Sequence, residues 1–384
     1  MPINVYSEVK KLKKVMLHRP GKELMNLTPE VLEALLFDEI PDYKKAQEEH
    51  DEFAQIFRDN GVEVVYLKDL VVEALQSDEA REDFLENYIL EANIDPDFID
   101  LIRKHLYNLP IEELVETSMI GITKYDLQSR DYEIEDYDHD FFIYPMPNLY
   151  FTRDSFATIG NSVSINHMYS ETRNRETLYG EMIFKYHPEY KAVDDLFGRK
   201  NIPSIEGGDI LVISDELILI GDSQRSQKPA IYTLAKALLS KENGFKHVLQ
   251  IRIDDSRAFM HLDTVFTQLD ENSFAIHAPI LKNLKVNELT LVDGKISSTK
   301  LKDPLDIILA KYMGQDKINF YKCGGDDLIA AKREQWTDGA NFVTLAPGKV
   351  IAYKRNFVTN KILKEAGFEV LEFDASNLIM GRGG

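Results

Sequence analysis

Phe151-Thr152-Arg153-Asp154, Ile205-Glu206-Gly207-Gly208-Asp209 and Met260-His261-Leu262-Asp263 follow one another at roughly 50 residues, the scale of a structural repeat. Each opens a stretch that reads as a β-hairpin. In one copy, Ile210 to Ile213 and Leu217 to Ile220 flank the turn Ser214-Asp215-Glu216, a helix follows around Ala230 to Leu239, and Val248 to Ile251 is a strand. In another, Phe342 to Leu345 and Val350 to Tyr353 flank Ala346-Pro347-Gly348-Lys349. A helix from about Val358 to Ala366 stops at Gly367, and Val370 to Phe373 is a strand. Arg173, Arg225 and Arg355 stand at similar hairpin-to-helix junctions. The repetition predicts a radial, pseudo-symmetric α/β assembly whose motifs point inward.

Upstream, Lys13 to His18 reads as a strand and Pro41 to Asp59 as a helix, with Ala46, Phe53 and Phe57 on one face. Asn60-Gly61 is a helix stop, and Val62 to Leu67 alternates like a strand. Between residues 68 and 135 no strand is predicted. Apolar residues fall at helical spacing (Val71 and Leu75; Phe84, Leu85 and Tyr88; Phe98, Ile102 and Leu106). We expect an all-helical insertion over 69–135, with 1–68 and 136–384 forming the α/β unit. The acidic run Asp131 to Asp140 is the expected exit linker, a solvated surface segment.

The 384 residues are 44% hydrophobic, enough for a large core, and carry 45 basic against 65 acidic side chains, a net charge of −20. That balance argues against nucleic-acid binding, which needs a basic surface. No apolar run approaches the ~20 residues of a membrane span, and no basic-then-apolar leader opens the chain. The one cysteine, Cys323, excludes an intramolecular disulfide and a cysteine-rich zinc site. A cytoplasmic location is expected.

An Asp before a loop is ordinarily a cap or turn residue, but Asp154 and Asp263 hold equivalent places in two repeats. Two converging carboxylates can take one guanidinium through charge-assisted hydrogen bonds. His261 and Asp263 stand two apart, so on a strand both would face one pocket. A lone strand histidine is usually structural, whereas one among inward carboxylates is placed for proton transfer. Glu206 is its natural partner, fixing the ring and raising its pKa. Gly207-Gly208 permit a tight turn or a close backbone approach. Gly324-Gly325-Asp326-Asp327 lacks the phosphate-loop pattern, Cys323 reads as a buried structural thiol, and the nine histidines show no metal spacing. No metal and no cofactor are expected.

These residues are identified as those of the arginine deiminases, guanidine-modifying enzymes of the pentein superfamily. The resemblance runs end to end. It includes Leu12 to Gly21, Leu35-Leu36-Phe37-Asp38, Met146 to Asp154, Glu171 to Glu176 and Ile205 to Asp209. It continues through Ser223-Gln224-Arg225, Met260 to Thr264, Arg333-Glu334-Gln335-Trp336, Ala346-Pro347-Gly348 and Gly381 to Gly384. It implies a five-bladed α/β propeller with a helical insertion, a homo-oligomer, and hydrolysis of L-arginine to L-citrulline and ammonia.

By the same resemblance, Asp154 and Asp263 hold the guanidinium, His261 shuttles protons and Glu206 orients it. Asn148, Phe151, Arg173 and Arg225 surround the substrate. The arginines, with Arg382, bind the α-carboxylate or gate the entrance, favouring arginine over agmatine. The family's nucleophilic cysteine follows the final Gly-Arg-Gly-Gly as Pro-Arg-Cys, and this sequence stops at Gly384. Loss of a nucleophile cost about a millionfold in kcat in another covalent enzyme, so the 384-residue chain is expected to be inactive or nearly so. The alternatives are a non-catalytic arginine-binding protein and an interaction protein that keeps only the fold. Ser155 replaces a proline common in the family, with a modest expected effect.

Overall fold

The structure is a computed structural model and describes residues 2–134, 137–241, 244–254 and 259–381. Strand β1 (Lys14–Leu17), helix α1 (Tyr43–Asp59) and strand β2 (Glu63–Tyr66) come first, with β1 parallel to β2. The Asp42 carboxylate caps α1 by accepting from Lys45 N, and Gly61 leaves the helix at φ +72°. Helices α2 (Leu67–Ala74), α3 (Asp78–Glu91), α4 (Ile99–Tyr107), α5 (Ile111–Ile120) and α6 (Lys124–Gln128) follow. Their apolar faces do not form a private core. Phe84, Tyr88, Ile102 and Leu114 pack in one cluster with Phe142, Val163, Tyr179 and Met182.

One expectation fails here. Strand β3 (Ile122–Thr123) lies inside the segment read as strand-free and pairs antiparallel with β4 (Phe141–Ile143). A two-residue strand is too short to leave an alternation in sequence. The acidic run between them is only partly a solvated linker. Asp131, Glu133, Asp138 and Asp140 are exposed, but Tyr137 is buried and stacks on Phe142 at 4.0 Å. Positions 135 and 136 lie outside the described residues.

From here one layout recurs: a hairpin, a helix, then a strand parallel to the hairpin's second strand. A single helical turn α7 (Thr152–Ser155) leads into β5 (Phe156–Ile159) and β6 (Ser162–Ile165). After α8 (Glu171–Asn174) and α9 (Thr177–Tyr186), a parallel bridge joins Val163 to Asp195. The turn Gly207–Asp209 leads into β7 (Ile210–Val212) and β8 (Leu217–Asp222), then α10 (Lys228–Ser240) and β9 (His247–Arg252). The turn Leu262–Thr264 leads into β10 (Phe266–Asp270) and β11 (Ser273–Ile276).

Here the layout is interrupted by a second hairpin, β12 (Lys285–Val292) and β13 (Lys295–Leu301), before α11 (Leu305–Met313) and β14 (Asn319–Lys322). Strand β12 pairs with β9 and extends that sheet to five strands. Its turn, Asp293-Gly294 with φ of 48° and 74°, is the left-handed pair such hairpins favour. The sequence reading did not use this signal. Helix α12 (Leu328–Gln335) precedes the last unit, β15 (Val343–Ala346), β16 (Lys349–Tyr353), α13 (Phe357–Glu365) and β17 (Glu369–Phe373).

Among the described residues the sheets do not join into a closed barrel. Hydrogen bonds nevertheless link successive units. The Thr344 hydroxyl donates to Gln268 O at 2.9 Å, Leu12 N to Leu345 O at 2.9 Å, and the Thr152 hydroxyl to Met16 O at 3.3 Å. The first unit and the last share a core through Leu17, Phe57, Ile351 and Phe373. Among the described residues no helix is long and apolar enough to cross a membrane.

The segment after β17 is fastened by one buried carboxylate. Glu49 on α1 accepts from Asn377 N, Asn377 Nδ2 and Leu378 N at 2.8–3.1 Å. The Tyr150 hydroxyl donates to Leu378 O at 2.8 Å. Glu49→Ala strands three donors and is expected to cost about 2–4 kcal/mol. Urea unfolding measures that loss, and amide exchange should quicken first at Asn377 and Leu378.

Candidate active site

The three motif turns meet. His261, in extended conformation just before the turn Leu262–Thr264, donates from Nε2 to Glu206 Oε2 at 2.6 Å. Its Nδ1 lies 3.9 Å from Asp154 Oδ1. The expectation that His261 and Asp263 share a strand face is corrected. Asp263 belongs to the turn and His261 is the extended residue just before it, and the turn itself brings them to the site.

The Glu206 carboxylate is fully buried and also accepts from Tyr169 N at 2.9 Å. Burial alone would strip the proton from His261. The Asp154 charge and the bond to Glu206 outweigh it and raise the imidazolium to about 10. Burial also opposes ionisation of Asp154 and Glu206, yet His261 holds both below their ordinary range. The site therefore holds a buried imidazolium facing two carboxylates.

The arginines belong to the same network. Arg173 is buried and donates from Nη1 to Asp154 Oδ2 at 2.8 Å. Its Nε and Nη2 donate to Glu176 at 2.9–3.2 Å, and its guanidinium lies 5.9 Å from the Phe151 ring centroid. Arg225 stacks over Tyr169 at 5.6 Å, with Nη1 3.9 Å from Glu206 Oε1, and its buried Nε has no hydrogen-bond partner. Asp263 is met by the chain's own Arg153, Nε to Oδ2 at 3.3 Å. Its other oxygen, Oδ1, is buried without a hydrogen-bond partner. Burial, against the pull of Arg153 and His261, raises this carboxyl to about 7.

Asn148 is buried near this network but donates to Leu35 O at 2.8 Å, a structural bond. Arg355, at the third hairpin-to-helix junction, is not part of the network. Arg382 lies outside the described residues. Cys323 is buried, as expected, beside Gly339. Burial raises its thiol to about 12, and the carboxylates acting on it are Glu334 and Asp338.

Sequence reading passed over Arg153, Tyr169, Glu176 and Asp209 as site residues. Asp209 is wholly buried and ties two turns together, accepting from Leu262 N at 2.7 Å and from the Ser223 hydroxyl at 2.6 Å. Burial raises it to about 6. Its place in the same motif as Glu206 was the available signal.

The glycines serve close packing rather than turn geometry. A Cβ on Gly207 would meet Arg153 O at 1.9 Å, and one on Gly208 the His261 ring at 2.7 Å. Among the described residues, one cluster has metal-ligand spacing: Asp154, Glu206 and His261 offer atoms all within 4.8 Å of one another. A protonated imidazole has no lone pair for a cation, so this cluster suits a proton better than a metal.

A family model described as arginine deiminase matches residues 33–384. The arginine deiminases of Streptococcus sanguinis (strain SK36) and Streptococcus pneumoniae (strain CGSP14) are each 50% identical to the chain over 392 residues, covering 100% of it and 96% of the relative. The chain belongs to the arginine deiminase family.

Solved structures give the fold independently. An amidinotransferase from Microseira wollei superposes with a TM-score of 0.55 at 14% identity, covering 100% of this chain and 95% of that one. A dimethylarginine dimethylaminohydrolase from Pseudomonas aeruginosa complexed with citrulline does so with 0.51 at 17%, covering 97% and 96%. The mixed α/β fold of this family member is shared with both.

Two tests address the buried network. Because the folded pKa of His261 lies near 10, above its ordinary 6.5, its stabilisation is full below about 6.5 and fades as pH rises towards 10. The melting temperature should therefore decline between about pH 7.5 and 10, and His261→Gln, less stable throughout, should lack that slope. Gly208→Ala should cost about 1–3 kcal/mol in chemical denaturation by pressing on the His261 ring.

Proposed function

We infer that this chain builds the substrate and proton-transfer site of the arginine deiminase reaction, hydrolysis of L-arginine to L-citrulline and ammonia. The observation that carries the reading is the buried, unpartnered Oδ1 of Asp263 beside the Asp154, Glu206 and His261 cluster. An orphaned buried acceptor is costly unless a ligand donor meets it, and a guanidinium donates in the plane that two carboxylates need.

The substrate guanidinium bridges Asp154 and Asp263. For that, Arg173 releases Asp154 and turns its Nη1 to the α-carboxylate, with Glu176 keeping its Nε and Nη2. Arg225 is the second counter-charge for that carboxylate. Asn148 and Phe151 line the substrate, and Arg382 gates it. A thiolate attacks the guanidinium carbon, His261 protonates the departing nitrogen, and ammonia leaves. Water, deprotonated by the same imidazole, then releases citrulline from the thiouronium adduct. Cys323, buried and hard to ionise, is a poor thiolate. The family resemblance puts the nucleophile after Gly384.

The scaffold that fits this chemistry is a five-bladed pseudo-symmetric propeller over 1–68 and 136–384, with a helical insertion at 69–135. Support comes from the recurring hairpin, helix and parallel strand, and from the shared core of first and last units. The insertion packs onto that scaffold through a core shared with Val163 and Tyr179. A cytoplasmic homo-oligomer follows from the resemblance.

Calorimetric affinity for arginine should fall as pH drops through about 7, because Asp263 must lose a proton to accept a cation. Asp263→Asn should weaken binding about a hundredfold and erase that pH step. A polypeptide of these 384 residues should bind arginine without releasing citrulline, and one extended by Pro-Arg-Cys and the family's tail should turn over. Citrulline from the shorter polypeptide that Cys323→Ser abolishes would overturn the assignment of the nucleophile.

A further inference from the structure

The corner between α8 and α9 carries Arg173 and Glu176, two members of the buried network. What fixes that corner lies outside the network. Arg199, between α9 and β7, is buried and commits all five of its side-chain N–H donors. Its Nε donates to the Thr177 hydroxyl at 2.8 Å, and that hydroxyl donates in turn to Asn174 O at 2.7 Å. Its Nη1 donates to Glu91 Oε1 at 2.7 Å and to Glu181 Oε2 at 3.1 Å. Its Nη2 donates to Glu91 Oε2 and, at 3.5 Å, to Asn174 O.

These acceptors come from different parts of the chain. Glu91 is the last residue of α3, whereas Asn174 closes α8 and Thr177 opens α9. One guanidinium, forked onto Glu91, therefore ties the run of helices α2–α6 to the corner that presents Arg173 and Glu176. The corner is also tied to the backbone beside Glu206. Arg199 O accepts from His167 Nδ1 at 2.9 Å, Met168 N donates to Asn174 Oδ1 at 3.1 Å, and Tyr169 N donates to Glu206 Oε1. A buried arginine with every donor engaged ordinarily serves stability alone. Here its partners stand on either side of Glu176 and next to Arg173, so displacing the corner displaces Arg173.

We propose that Arg199, clamped by Glu91, is a positioning residue for recognition of the α-carboxylate of arginine, an inference that rests on the role given to Arg173 above. Glu176 holds Arg173 Nε and Nη2 at 2.9–3.2 Å, and Nη1 is the atom that turns to the carboxylate. Where Nη1 points is then set by where the corner stands, and a shift of about 1 Å takes a hydrogen bond out of range. The guanidinium end of the substrate is met by Asp154 and Asp263, which belong to other turns. Helix α3 thereby takes part in choosing the substrate without touching it.

Calorimetry on the whole chain, with L-arginine and with agmatine, tests this. Agmatine keeps the guanidinium and lacks the carboxylate. Glu91→Gln, a change at a partly exposed side chain that keeps its shape, should weaken L-arginine about tenfold and alter agmatine by less than about twofold. Arg199→Lys keeps the charge but cannot span five acceptors, and it should narrow the preference for L-arginine in the same way. In an Arg173→Gln background, Glu91→Gln should have no further effect on L-arginine. A purely structural clamp would shift both ligands together or lower only the melting temperature, and either result would overturn the proposal. So would additive effects of Glu91→Gln and Arg173→Gln. A parent chain that binds neither ligand would instead sink the functional reading itself, and this proposal with it.

Discussion

A protonated imidazole buried between two carboxylates is the constraint around which the centre of this molecule is arranged. His261, Glu206 and Asp154 come from three hairpin units, and removing any one leaves uncompensated charge in a medium that solvates it poorly. The surrounding sequence serves this arrangement. Gly208 lacks a side chain because the His261 ring lies where a Cβ would point. Gly207 lacks one because the backbone before Asp154 passes there. Asp209 sits behind Glu206 and ties its turn to the turn carrying His261. Close packing of two turns and burial of one ion cluster are thus the same requirement.

The electrostatics are not balanced group by group. Arg173 serves Asp154 and Glu176 together, and Arg153 covers only one oxygen of Asp263. Burial opposes ionisation at Asp209 and Asp263 with too little nearby cation to offset it, so both titrate high. A further cation entering beside Asp263 relieves that imbalance, whereas an anion deepens it. The proposed binding of a positively charged group therefore draws on the charge distribution of the pocket as well as on family membership.

The hairpin units, α1, β2 and the inward motifs were legible because each rests on local signals: alternation, helical spacing, a glycine stop. So were Asp154, Glu206 and His261, which recur at the same place in successive units. Local signals were silent where structure depends on distant partners. Strand β3 exists only through Phe141 and Ile143, and Glu176 matters only because Arg173 turns back onto it. Arg153 looked like part of a motif and proves to be a counter-ion for Asp263. The pairing assumed for His261 and Asp263 was strand geometry, whereas a tight turn converges side chains in its own way. Tyr137 shows the same limit: its acidic neighbours set the reading, and its ring followed Phe142 into the core.

Repetition explains a further feature that neither composition nor burial accounts for alone. Arg173, Arg225 and Arg355 occupy like positions in like units, yet the first two face carboxylates and the third faces solvent. The difference lies in what precedes each hairpin. The units carrying Arg173 and Arg225 begin with Asp154 and with Glu206 and Asp209, whose charges draw a guanidinium inward. The unit carrying Arg355 is also preceded by an acid, Asp338, but that buried carboxylate acts on Cys323 and Tyr353, and the neighbouring Glu334 is engaged by the start of α13. The third guanidinium stays at the surface beside Arg333 and Trp336. A repeated scaffold thus supplies a cation at the same junction three times, and two of the three serve the buried centre.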